Sequence, residues 1–89
     1  MSTRAERIKQ LLTDALHPES IEVADDSQQH AGHGGYDAEG SHFSVTIVSS
    51  RFANEDKLSR HRMVYAALGD MMHQEIHALS ISALSPDEI

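Results

Sequence analysis

Apolar and polar positions along this chain follow two periods. From Ala5 to Leu16 the apolar residues Ala5, Ile8, Leu11, Leu12, Ala15 and Leu16 recur on one face at helical spacing. Thr3-Arg4-Ala5-Glu6 before them reads as a capping box, hydroxyl and carboxylate together satisfying the first free N–H groups. His17-Pro18 ends that helix, because the residue before proline avoids the α region. Ile21 to Asp25 then alternates like a half-buried strand. The clearest strand follows later, where Phe43, Val45 and Ile47 alternate with Ser44, Thr46 and Val48. Between these strands, Ser27 to Gly40 is polar and glycine-rich, and reads as a long irregular loop.

Helical spacing returns after Ser49–Ala53. Asn54-Glu55-Asp56 suits a short capped turn. Ser59 is placed to cap a longer helix through His73, with Met63, Val64, Ala67, Leu68 and Met71 as its buried stripe. Ile76, Ala78 and Ser80 alternate with His77, Leu79 and Ile81 in a third strand, and Ser85-Pro86 closes the pattern. The order α-β-β-α-α-β predicts an α+β two-layer sandwich over residues 1–89, one domain with a three-stranded mixed sheet. Strands one and two should pair antiparallel; the third, after a helical crossover, should lie parallel to a neighbour. The helices should cover one face of the sheet and leave the other partly open.

Composition removes several function classes. The net charge is −7 with histidines neutral, so the broad positive field of a non-specific nucleic-acid binder is missing. There is no cysteine, which excludes disulfides and a thiol nucleophile. No apolar run approaches the roughly 20 residues of a membrane span. Met1 to Gln10 lacks the apolar core of a signal peptide, so a cytoplasmic protein is expected.

Catalytic chemistry finds no support. No Gly-x-Ser-x-Gly elbow and no phosphate-binding Gly-Lys-Ser/Thr loop occurs. Asp25-Asp26 and Glu55-Asp56 read as solvated charges. The histidines are more informative, being seven in 89 residues. His30 and His33 stand three apart on the glycine-rich loop, where two imidazoles can swing toward one ion or simply be solvated. His77 sits at the start of the third predicted strand, and its role depends on whether the loop folds toward it. His42 stands opposite Phe43 on the second strand, and His73 ends the long helix. Arg60-His61-Arg62, with Lys57 nearby, places cations where a helix begins. Exposed cations there cost roughly 0.3–1 kcal/mol each against the macrodipole. Such a cluster reads either as a grip for a partner carboxylate, a phosphate or a nucleic-acid backbone, or as a solvated turn.

These residues resemble the BolA family. The resemblance runs through Asp26-Ser27-x-x-His30, Gly40-Ser41-His42-Phe43, Ile47-Val48-Ser49 and Phe52. It continues through Arg60-His61-Arg62-Met63-Val64-Tyr65, Ile76-His77-Ala78-Leu79 and Ser85-Pro86. It implies a fold like the class II K-homology domain. It also implies a heterodimer with a monothiol glutaredoxin, sharing a bridging [2Fe-2S] cluster. The glutaredoxin side gives a cysteine and a glutathione thiol. This side gives the histidine corresponding to His77 and a loop residue, for which His30 fits best and His33 is the alternative. The isolated chain is then expected to hold no cofactor, and no small-molecule substrate or membrane is implied. Some members of the family are transcriptional regulators, so a DNA-binding role through Lys57, Arg60 and Arg62 is the alternative. Plain zinc or nickel binding by the loop histidines is a third reading. One departure is Asn54, where the family usually has glycine; asparagine tolerates similar backbone angles.

Overall fold

The computed structural model describes residues 3–25, 42–76 and 78–89. Helix α1 spans Arg4–Leu16, strand β1 Ser20–Asp25 and strand β2 His42–Val48. After a 3-10 turn at Ser50–Phe52 come helix α2, Lys57–Leu68, a short helix α3, Met71–Gln74, and strand β3, Ala78–Leu84. A second 3-10 turn covers Pro86–Glu88.

The sheet has the order β1-β2-β3. β1 and β2 pair antiparallel, from Ser20 opposite Val48 to Asp25 opposite Phe43. β2 and β3 pair parallel, from His42 beside Ala78 to Val48 beside Leu84. This is the mixed three-stranded sheet that the element order predicts. Phe43, Val45 and Ile47 face the helices and are buried with Ile8, Leu12 and Leu16 of α1, Val64 and Leu68 of α2, and Met71. Ile21 and Val23 of β1, and Leu79, Ile81 and Ala83 of β3, pack against the same core. On the opposite face Glu22, Thr46, Ser80 and Ser82 are exposed. One face thus meets water directly, as antiparallel and mixed sheets allow.

Local chemistry sets most boundaries. Thr3 caps α1, its hydroxyl accepting from the Glu6 N–H at 3.1 Å. His17 closes α1 in the left-handed region, φ 45°, with its N–H returned to the Thr13 carbonyl at 3.0 Å. Ser49 is wholly buried. Its hydroxyl donates to the Leu16 carbonyl at 2.7 Å, and its N–H donates to the Leu84 carbonyl at 2.9 Å. That one residue ties the end of α1 to the end of β3.

The second half departs from the pattern in four places. The short turn lies at Ser50–Phe52 and is capped by Ser49, not by Asn54. Asn54 instead holds φ 67°, the left-handed conformation that its short amide tolerates. The cap of α2 is Asp56, whose carboxylate accepts from the Ser59 N–H at 2.8 Å; Ser59 is therefore inside the helix. The expected single helix through His73 is broken at Gly69, φ 56°, whose N–H caps back to the Tyr65 carbonyl. β3 begins at Ala78, and Ile76 is buried before it, so Ile76 does not share the alternation of the strand.

Candidate functional site

Two groups of candidate residues emerge from the sequence. The first is the histidine group. β1 ends at Asp25, β2 begins at His42 and β3 begins at Ala78, so all three lie at one end of the sheet. In sequence, segment 26–41 joins β1 to β2, and residue 77 precedes β3. His30, His33 and His77 themselves lie outside the described residues. His42 belongs to the same end, half-buried and paired with Ala78 in the ladder. Among the described residues no group of three or more His, Asp or Glu side chains is placed to hold a metal ion. Beside this end, Arg7 makes a two-pronged pair with Glu75. One nitrogen donates to Oε2 at 2.8 Å and the other to Oε1, while Arg4 Nε lies 3.7 Å from Oε1. The guanidinium of Arg7 holds the Glu75 carboxyl below its ordinary range. This clamp ties the start of α1 to the residue just before Ile76.

The cationic group sits at the other end. Arg60 reaches Ala83, five residues into β3, which is roughly 16 Å along the strand from Ala78. Its Nη1 donates to the Ala83 carbonyl at 3.0 Å and to Glu88 Oε1 at 2.6 Å, and its Nε donates to the Glu55 carbonyl at 2.9 Å. Glu88 also accepts from the Ser85 N–H at 2.7 Å and from the Ser85 hydroxyl at 2.9 Å. These donors, Arg60 first, pull the Glu88 carboxyl down to about 2.

The cost of a cation early in α2 is therefore offset inside the chain. α2 begins at Lys57, and Arg60 lies one turn in, with its guanidinium held by two carbonyls and a carboxylate. Lys57 and Arg62 are exposed, and His61 is half-buried. Arg62 adds to the pull on Asp56, whose carboxyl is held low mainly by the Ser59 N–H. Lys57, Arg60 and His61 line one cleft of about 490 Å³ together with Glu55, Asp56, Glu88 and the strand Ile81–Leu84. Its walls carry both signs of charge, so it is no simple anion pocket.

Glu88 and Glu75 are the residues that sequence reasoning passed over. Glu88 had a signal: Ser85-Pro86-Asp87-Glu88 is itself a capping box with proline at the first helical position, and the structure forms it. Glu75 had none, since its partners are 68 and 71 positions away in sequence.

Comparison with known proteins decides the family. The family model described as BolA-like protein matches residues 12–88. The chain belongs to the BolA-like family. Among its relatives, the DNA-binding transcriptional regulator BolA of Escherichia coli is 41% identical over 76 residues, covering 85% of this chain and 70% of that protein. SufE-like protein 1 of Arabidopsis thaliana is 40% identical over the full chain, which spans 25% of that much longer protein. The solved BolA domain of SufE1 from Arabidopsis thaliana superposes with a TM-score of 0.86 at 42% identity, covering 100% of this chain and 99% of that one. The mixed sheet with its helices on one face is thus the BolA-like architecture. No helix among the described residues is long and apolar enough to cross a membrane.

Proposed function

We propose that this BolA-like chain is a non-enzymatic partner of a monothiol glutaredoxin, with which it shares a bridging [2Fe-2S] cluster in cluster trafficking or iron and redox regulation. The observation that carries the reading is topological. The two anchors of segment 26–41, Asp25 and His42, and the start of β3 at Ala78 share one end of the sheet. The residues that flank the loop histidines and His77 in sequence thereby share one neighbourhood. His77 and His30, with His33 as the alternative, would hold one iron.

The donor set fits this group. Histidine replaces cysteine on one iron of a [2Fe-2S] centre in Rieske proteins. With no cysteine, this chain supplies imidazoles alone, and thiolates come from the partner. The bound cluster would supply a redox-active, transferable iron–sulfur unit. The chain's part is to present two neutral imidazoles from a sheet end anchored by β1, β2 and β3.

The test mixes the chain with a cluster-loaded monothiol glutaredoxin and glutathione, followed by visible absorption and circular dichroism. The spectrum should change on heterodimer formation, and His77→Ala should abolish the change while far-ultraviolet dichroism stays native. An unchanged native spectrum, or the same change with His77→Ala, overturns the ligand assignment. Parallel His30→Ala and His33→Ala variants decide between the loop residues.

A second reading, a DNA-binding regulator, is favoured by the relative in Escherichia coli. Lys57 and Arg62 are the exposed cations it would use, with His61 between them and Arg60 engaged elsewhere. Its mark is affinity that falls steeply with salt. Binding absent near physiological ionic strength excludes it.

A further inference from the structure

The two edges of the sheet are built differently. β1 carries Glu22 and Asp25, and charge on an edge strand resists pairing with another chain. β3, the other edge, reads Ala78-Leu79-Ser80-Ile81-Ser82-Ala83-Leu84. It has no charge and no proline, and its register with β2 runs unbroken from Ala78 to Leu84.

The hydrogen bonds tell which backbone groups of β3 look outward. The Leu84 carbonyl accepts from the Ser49 N–H on the β2 side. The Ala83 carbonyl accepts from Arg60, on the opposite side. Backbone groups alternate along a strand, so Leu79, Ile81 and Ala83 present theirs to the free edge. The cleft beside Ile81–Leu84 gives access to that edge.

Beyond the charged residues that line the cleft, the flank of α2 carries two exposed apolar side chains. Met63 and Ala67 pack inward, and His61 lines the cleft. At 100° per residue, Leu58 and Tyr65 follow His61 round the helix, away from Met63 and Ala67. They are 59% and 42% exposed, two of the four exposed large hydrophobics among the described residues.

We propose that β3 and this flank of α2 form the interface of a homodimer, a second copy adding its own β3 antiparallel, with Ile81 opposite the partner's Ile81. The strand is self-complementary about that residue. Ser80 meets the partner's Ser82, Leu79 the partner's Ala83, and Ala78 the partner's Leu84. Hydroxyl faces hydroxyl and apolar faces apolar at every position, which is what a two-fold interface requires. The helices agree with the same axis. The midpoint between Leu58 and Tyr65 falls at His61 and Arg62, and His61 lies in the cleft with Ile81 and Ser82. The axis that pairs Ile81 with its copy therefore sets Leu58 against the partner's Tyr65. Arg60 fits within this arrangement, because the Ala83 carbonyl has a second lone pair for the partner strand.

Sedimentation equilibrium from micromolar to millimolar concentration tests the interface. Ser80 and Ser82 are exposed on the open face of the sheet, so charges placed there leave the core untouched. The double variant Ser80→Lys, Ser82→Lys sets lysine opposite lysine twice across the axis. It should weaken the dimer by about tenfold or more. Ser80→Lys with Ser82→Glu sets opposite charges against each other in the same two places and should restore it. Amide exchange at Ile81 should slow as concentration rises. A monomer at every concentration overturns the proposal. So does equal association of the native chain and both double variants.

Discussion

The two ends of the sheet are held together by different means. At the end where β1 starts and β3 finishes, Ser49, Ser85, Arg60 and Glu88 bind backbone and side chains into one network, and Phe52 is sealed beneath it. At the other end, the Arg7–Glu75 clamp lies on the surface. Asp25, His42 and Ala78, which flank the candidate ligand residues in sequence, belong to the second end. A BolA-like domain of this size has little stability to spare.

The largest effect should come from the fastened end. Phe52→Ala empties a fully buried site and should cost about 3–5 kcal/mol in urea unfolding. Ser49→Ala is next. It leaves the buried Leu16 carbonyl without its donor and should cost about 1–3 kcal/mol by the same measurement. If either change left the midpoint unmoved, the contrast between the ends would fail.

Glu88 gives a smaller effect with a distinctive pH dependence. Its carboxyl is ordinarily near 4.5 and is pulled down to about 2 in the fold. A depressed carboxyl stabilises the fold at pH values above its unfolded value. That contribution is lost as pH falls from about 4.5 toward 2. Glu88→Gln should therefore be less stable than the native chain at neutral pH. The gap should close through that window in thermal melts taken across pH.

Thr3→Ala removes the cap of α1 near the other end and should cost about 0.5–1 kcal/mol, the least of the four. A loss larger than that of Ser49→Ala would reverse the comparison.

Much of this was legible in the chain itself. α1, the two outer-face alternations and the core stripe Ile8, Leu12, Leu16, Phe43, Val45 and Ile47 follow from hydrophobic period, which reports burial directly. The break of α2 was also legible in Gly69, but Met71 beyond it continued the helical spacing and masked it. The helix start was misplaced because Asp56, Ser59 and Asn54 are all good caps, and only the chain path chooses among them. The expected cluster ligands, His77 with His30 or His33, come from the resemblance to the BolA family and lie outside the described residues. The fold adds that Asp25, His42 and Ala78 share one end of the sheet.

The sequence alone determined the element order, the one buried face, the lack of thiol donors and the family. Local periodicity and side-chain chemistry suffice for those. The tertiary structure decided what Arg60 does. In sequence it reads as a cation opposing a helix dipole. In the fold it binds Glu55, Ala83 and Glu88, partners up to 28 residues away. The tertiary structure also set Arg60 at the end of the sheet opposite Asp25, His42 and Ala78, and left β3 as an uncharged edge among the described strands. Strand order and register are set by packing between distant segments, and no local pattern carries them.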